Sequence, residues 1–264
     1  MSVRGLDIAI DREDWADYIK SQCVMYCPPA QYSPGVESQR IKYSYLASVS
    51  ARFLASPQYT RPTKKTIDAL NVRGYALDNG AYLCHINGDR FDEAAFLRYC
   101  VRYGQYADWI AIPDVVCNAS ETLKNIPAYI EKIRQILPLS RLLLVWQDGM
   151  VMQDMIPYLK KRIGVFVGGS TDGKLSAMHW IADLCREYNV WCHVGRVNSV
   201  KRLAAVLSCR ANSFDGSGIV RYLPTLKRMT EYLICSSGQL GLFGCGQMDT
   251  QFLESWLTKE RSLI

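Results

Sequence analysis

The chain has 264 residues, 49% of them hydrophobic and 21% charged, which is material for one large hydrophobic core and excludes an intrinsically disordered chain. Its formal net charge of +6 suits a polyanionic partner without demanding one. No apolar run approaches the roughly 20 residues of a membrane span, and Asp7, Asp11, Arg12, Glu13 and Asp14 interrupt any apolar leader, so a soluble, cytoplasmic protein is expected.

Residues 1–20 read as a polar lead-in, and Cys23–Tyr26 as a short strand stopped by Pro28-Pro29. Pro28 to Gly35 is a loop rich in Pro, Tyr and Ser, and Ile41–Leu54 has a helical pattern. Ile67–Val72 leads into a strand, Tyr75-Ala-Leu, that ends at Asp78-Asn-Gly80. Phe91 to Gln105 is helical, with Phe96, Cys100 and Tyr103 at i, i+4 and i+7. A strand over Trp109–Val116 follows, and Ser120 is placed to cap a helix whose Leu123, Ile126, Ile130, Ile133 and Leu137 share one face. Leu142–Trp146 and Ile163–Val167 are strands on either side of a short helix marked by Met152, Met155, Ile156 and Leu159. Asp172–Tyr188 is a helix with Leu175, Met178, Ile181 and Leu184 inward, then come strand Val190–Val194, helix Ser199–Leu207 and strand Ala211–Phe214. Beyond Tyr222 the pattern blurs, and Gly238, Gly241, Gly244 and Gly246 precede a helical tail at Gln251–Leu257.

Strands and helices alternating in this way imply parallel strands with crossover helices in a single domain. The strands are near-continuous apolar runs, as when both faces are buried. A closed (β/α)8 TIM-type barrel and an open doubly wound sheet both fit. The absence of Gly-x-Gly-x-x-Gly weakens the open sheet, and polar residues closing at least five successive strands favour the barrel, although an eighth strand is not clean.

Those strand ends supply three carboxylates (Asp78, Asp114 and Asp215), the amide of Gln147, and a Gly168-Gly169 turn exposing backbone N–H groups. Asp215 sits on a Gly-Ser-Gly turn, with Arg221 six residues on. Two carboxylates across a sugar carbon are the minimal kit for retaining glycosyl transfer. A third carboxylate with an amide and an N–H matches the edge of a guanine-like base. Each piece also has a plainer reading. Asp78-Asn-Gly and Gln147-Asp148-Gly149 are turn chemistry, Asp114 can cap the turn at Cys117–Ser120, and Gly168-Gly169-Ser170 before a helix can cradle a phosphate. His193, at a strand end, is held in reserve. Ten cysteines at irregular spacing, with no Cys-x-x-Cys, read as reduced thiols rather than as a disulfide framework or a zinc site.

From Tyr75 to Arg221 the chain resembles the tRNA-guanine transglycosylase superfamily. Asp78-Asn-Gly-Ala-Tyr82 is similar to the family's Asp-Ser-Gly-Gly-aromatic segment, which implies Asp78 as general acid/base and Tyr82 as a ring stacking on the base. Asp114 looks like the base-reading aspartate, Gln147 like the O6-binding glutamine, and Gly168 and Gly169 like the backbone donors. Val194 falls where the family sets an apolar residue against the base, and Asp215 with Arg221 looks like the nucleophile and its following arginine. The roles of Asp78 and Asp215 are interchangeable at this level. The family's Cys-x-Cys-x-x-Cys zinc subdomain is absent: Cys235 and Cys245 stand apart. The resemblance therefore points to the zinc-free, phage-encoded branch that exchanges guanine in DNA for a 7-deazaguanine such as 7-cyano-7-deazaguanine, with no metal and no cofactor. A tRNA-directed transglycosylase, a DNA or nucleoside glycosidase that admits water, and a DNA-binding module without activity are the alternatives. Oligomeric state is left open, a homo-oligomer included.

Overall fold

The computed structural model describes residues 23–27, 41, 42, 45, 46, 48–58 and 74–236. Eight strands run in chain order around a ring: β1 (Val24–Cys27), β2 (Arg52–Ala55), β3 (Tyr75–Leu77), β4 (Ile110–Ala111), β5 (Leu142–Trp146), β6 (Gly164–Val167), β7 (Cys192–Val194) and β8 (Ser213–Asp215). Every pair is parallel, and β1 closes on β8 through Val24↔Ser213, Met25↔Phe214 and Tyr26↔Asp215. This is the expected (β/α)8 barrel.

The helices that follow the strands are α1 (Ala81–Asn87), α2 (Glu93–Tyr103), α3 (Ala119–Ile136), α4 (Met152–Leu159), α5 (Thr171–Glu187), α6 (Val200–Ser208), α7 (Ser217–Arg221) and α8 (Leu223–Ser236). Their starts are written in the sequence. The side chains of Asp92, Asn118, Ser170 and Ser199 each accept from a backbone N–H in the first turn of α2, α3, α5 and α6. Asn118 takes the role expected of Ser120, which lies inside α3. Arg162, Asn189 and Arg210, all at positive φ, stand between a helix and the next strand, so one left-handed turn recurs before β6, β7 and β8.

The missing strand is β2, which begins within the stretch read as a helix over Ile41–Leu54. Leu46, Val49 and Phe53 do share the outer core, which is why their spacing looks helical. Ser50 at φ 49° turns the chain between them, and the strand begins at Arg52. The strand expected over Trp109–Val116 shortens to Ile110–Ala111, and Pro113 lies in the segment that has left the ladder. Leu175 is exposed on α5, whereas Met178, Ile181 and Leu184 are buried as expected. The glycine run from Gly238, the tail at Gln251–Leu257, Cys245 and the loop at Pro28–Gly35 lie outside the described residues, as does the Ile67–Val72 segment.

Period-2 alternation sorts the strands into two layers. Met25, Phe53, Leu77, Ile110, Leu144, Val165, Val194 and Phe214 face the helices in one large core. Tyr26, Ala76, Trp109, Ala111, Leu143 and Val145 fill the barrel interior, with Leu54 and Phe166 packed against them. The residue after an outward-facing one therefore turns inward over the barrel mouth: Asp78 follows Leu77, Gln147 follows Trp146, and Asp215, the last residue of β8, follows Phe214. No described helix is long and apolar enough to cross a membrane.

Candidate active site

Asp114 is the best-anchored acid at the mouth. Its Oδ1 accepts from Asn79 Nδ2 at 2.8 Å and its Oδ2 from Gln147 Nε2 at 2.7 Å. Both amides are themselves fixed. Asn79 Oδ1 accepts from Ala81 N at 2.7 Å and its amide also reaches Ile112 O at 2.9 Å, while Gln147 Oε1 accepts from Cys117 N at 3.1 Å. The loops after β3, β4 and β5 are thereby tied to one carboxylate. Burial pushes Asp114 up to about 6, against the pull of Asn79, its own backbone N–H, Gln147 and the Arg196 charge.

Asp215 is buried at the end of β8. Its Oδ2 meets His193 Nε2 at 2.9 Å and its Oδ1 accepts from the Arg196 backbone N–H at 3.2 Å. Behind it runs a polarised relay. The Trp191 indole N–H can only donate, so Ser213 Oγ accepts it at 2.7 Å, leaving the hydroxyl proton for His193 Nδ1 at 2.8 Å. With Nδ1 as acceptor, the neutral ring carries its proton on Nε2 and donates it to Asp215. Burial lowers the His193 pKa, more than Asp215 raises it, so the neutral form fits. The ring is held by Phe166, Trp109 and Tyr26, with centroids 4.5, 4.6 and 5.7 Å away. Gly195 is needed here, because a Cβ would come within 2.5 Å of Phe166 and 3.3 Å of Asp215 Oδ2.

Asp78, half-buried beside Gly80 N at 3.3 Å, is pushed up to about 7 by burial first and then by the Asp215 and Asp114 charges, so the three acids sense one another. Asp78, Asp114, Gln147, Gly169 and Asp215 all stand on the C-terminal face of the barrel, the face that carries chemistry in barrel enzymes.

Three expected members are placed differently. Val194 faces the helices and is fully buried in the outer core, so it presents no apolar wall to the mouth. The Gly168 N–H is committed to Trp146 O at 3.1 Å and is not a free donor. Arg221 is exposed at the end of α7, where its carbonyl accepts from Lys42 Nζ at 3.5 Å; it makes no hydrogen bond to the acids among the described residues. Gly169, buried at φ 68°, keeps its N–H without a protein acceptor among the described residues. Tyr82 is at the mouth, with the Arg196 guanidinium 4.8 Å over its ring, so one ring face is already covered by a cation.

Arg196 is the guanidinium the sequence hid. It also donates to Gly169 O and takes φ 59°, an uncommon conformation for a large residue and one found where surroundings force it. In sequence it is one of three basic residues from Arg196 to Arg202, with nothing to mark it as part of a site. Lys174 is buried in α5 and donates to Gly195 O. Its place in an amphipathic helix carries no signal of this. Asn79, read as a turn residue, is the second anchor of Asp114. Asp148, expected as a turn residue, accepts from Ser170 N at 2.5 Å and Ser170 Oγ at 2.9 Å and so pins the start of α5. Among the described residues no group of three His, Cys, Asp or Glu side chains converges on a metal-sized point, and the eight described cysteines from Cys23 to Cys209 are free thiols.

No protein-family model matches the chain, and no curated protein does. Among solved structures it is similar to mandelate oxidase with 3,3-difluoro-2-hydroxy-3-phenylpropionic acid, at 12% identity and a TM-score of 0.52, covering 84% of this chain and 74% of that one. It is similar to the same oxidase, as a point variant with benzoyl-formic acid, at 13% identity and a TM-score of 0.51, with the same coverage. A tryptophan synthase from M. tuberculosis follows at 12% identity and a TM-score of 0.49, covering 84% and 94%. The likeness is one of fold: this chain is an eight-stranded parallel (β/α)8 barrel of the TIM type.

Proposed function

We propose that the chain is an enzyme that exchanges guanine in DNA for a 7-deazaguanine through a covalent aspartyl-glycosyl intermediate. The observation that carries this reading is the inequality of two neighbouring acids. Asp78 is pushed up to about 7 while Asp215, beside it, takes two N–H donors on its carboxylate. A carboxyl whose surroundings hold its proton, next to a carboxylate anchored by N–H donors, suits a division into proton carrier and nucleophile. It favours Asp215 as nucleophile and Asp78 as the proton carrier.

The steps follow. A DNA guanosine flips from the stack into the mouth, at a cost of a few kcal/mol. An oxygen of Asp215 attacks C1′, the C1′–N9 bond breaks with its electron pair going to N9, and protonated Asp78 gives that nitrogen a proton. The incoming deazaguanine loses its N9 proton to Asp78, N9 attacks C1′, and the ester to Asp215 breaks. Asp114 reads the base: each of its oxygens has one amide donor and keeps a lone pair for the ring N–H and the exocyclic amine. The second proton on Gln147 Nε2 and the free Gly169 N–H suit the O6 carbonyl.

Mass spectrometry of nucleosides from DNA incubated with the protein and candidate deazaguanines tests the reading. Incorporation in wild type and none with Asp215→Asn is expected. Normal incorporation by that variant ends the assignment, and abasic sites without incorporation would make the protein a glycosidase.

A further inference from the structure

Beside the mouth, between α5, β7 and α6, lies a narrow crevice open to solvent on one side. Its polar lining is Thr171, Lys174, Arg196 and Arg202, over an apolar floor that includes Val194 and Val206. Three cations and no carboxylate line it. Among the described residues none of the three forms an ion pair. Each spends donors on backbone carbonyls only: Lys174 on Gly195 O, Arg196 on Gly169 O, and Arg202 on Arg196 O at 3.4 Å. A lysine has three donors and an arginine five, so most stay available. Lys174 is 5% exposed, and the Asp215 and Asp148 charges offset only part of the cost of burying its ammonium.

We propose that this crevice is an anion subsite that holds a phosphodiester of the nucleic-acid strand next to the flipped nucleotide; the identity of the strand rests on the base-exchange reading. Arg196 joins the two sites, since its backbone N–H holds Asp215, its guanidinium lies over Tyr82, and the same side chain lines the crevice. Burial, and then the neighbouring Arg196 charge, pull Lys174 down to about 7, a penalty that a bound anion would relieve.

The test needs no exchange reaction. Binding of a fluorescent guanine-containing deoxyoligonucleotide, and its displacement by inorganic phosphate, are measured for wild type, Lys174→Met and Arg202→Gln without free base. Dissociation constants are expected to rise roughly tenfold in either variant, and the slope of log Kd against log salt to fall by about one. An oligonucleotide with a neutral methylphosphonate at the linkage flanking guanine should lose the same factor on wild type and nothing further on the variants. If Lys174→Met does not fold, the half-buried Arg202 decides. Unchanged affinity and slope in the folded variants overturns the subsite. So does weakened inorganic phosphate binding with undiminished DNA binding, which would assign the anion to a small phosphorylated molecule. A wild type that binds DNA through these cations and exchanges nothing leaves the subsite standing and removes the exchange reading.

Discussion

Asp78 shows how far one residue's chemistry depends on its surroundings. The same side chain exposed in a turn would titrate near 3.8, but burial and two acidic neighbours carry it to about 7, where both protonation states are populated at neutral pH. The shift has a sign for stability. Because the folded state holds this proton more tightly than the unfolded chain does, stability is lost as pH rises from about 4 towards 7, and the full cost is present above 7. Asp78→Asn removes the charge. It should gain about 2 kcal/mol over wild type at pH 8, discounted from the full linkage value because Asp78 keeps partial solvent contact. The gain should vanish by pH 4, while exchange falls by at least about a hundredfold. Denaturant titrations at the two pH values check this, and an advantage larger at pH 4 than at pH 8 would contradict it. Stability lost at a group proposed to react is what a functional site is expected to show.

Between neighbouring elements, register does the positioning. β7 and β8 pair His193 with Ser213, and both face inward, so the hydroxyl falls against the imidazole and Trp191 behind it completes the relay. Ser213→Ala strands two buried polar atoms, Trp191 Nε1 and His193 Nδ1, at about 1–3 kcal/mol each. It also removes the donor that fixes the ring tautomer. We expect a lower Tm and a kcat down roughly tenfold or more with little change in KM, and recovery of both in Ser213→Thr. A folded alanine variant with wild-type kcat would show that the relay does not serve Asp215. The sequence displayed these elements unevenly. Long strands and amphipathic helices were legible because apolar runs and helical spacing are local signals, whereas the cap of α3 fell on Asn118 and not on Ser120. β2 was not legible, because Leu46, Val49 and Phe53 fall at helical spacing and Arg52, which points into the barrel to meet Asp108, leaves only Phe53-Leu54-Ala55 as its apolar run. At the site, Asp78, Asp114, Gln147 and Asp215 were legible as polar ends of apolar strands, a one-dimensional mark of the barrel mouth. Val194 was misread because its neighbour His193, not Val194, faces the interior. Arg196 and Lys174 reach the site through loop conformation and helix burial, and neither leaves a periodic trace.

Across the whole barrel the inward-facing column changes character from one end to the other. At the N-terminal end Arg52 Nη1 meets Asp108 Oδ1 at 2.5 Å and the Tyr26 hydroxyl donates to Asp108 Oδ2 at 3.0 Å, closing the floor with a satisfied charge pair. Trp109, Phe166 and His193 fill the middle with rings. The C-terminal end gathers three acids without such pairing beyond His193. In barrels the lower face supports stability and the upper face chemistry, so substitutions at the two ends should separate the two properties. Arg52→Met leaves Asp108 without its cation and should cost about 3 kcal/mol, and adding Asp108→Leu should recover most of that, since a buried pair replaced by apolar groups is often neutral. Exchange rates should stay within about twofold in both folded variants, the reverse of Asp78→Asn, which gains stability and loses activity. Thermal melts and single-turnover exchange on the same three proteins decide it. A collapse of kcat in Arg52→Met with an unchanged Tm would put the chemistry at the other end of the barrel from the acids.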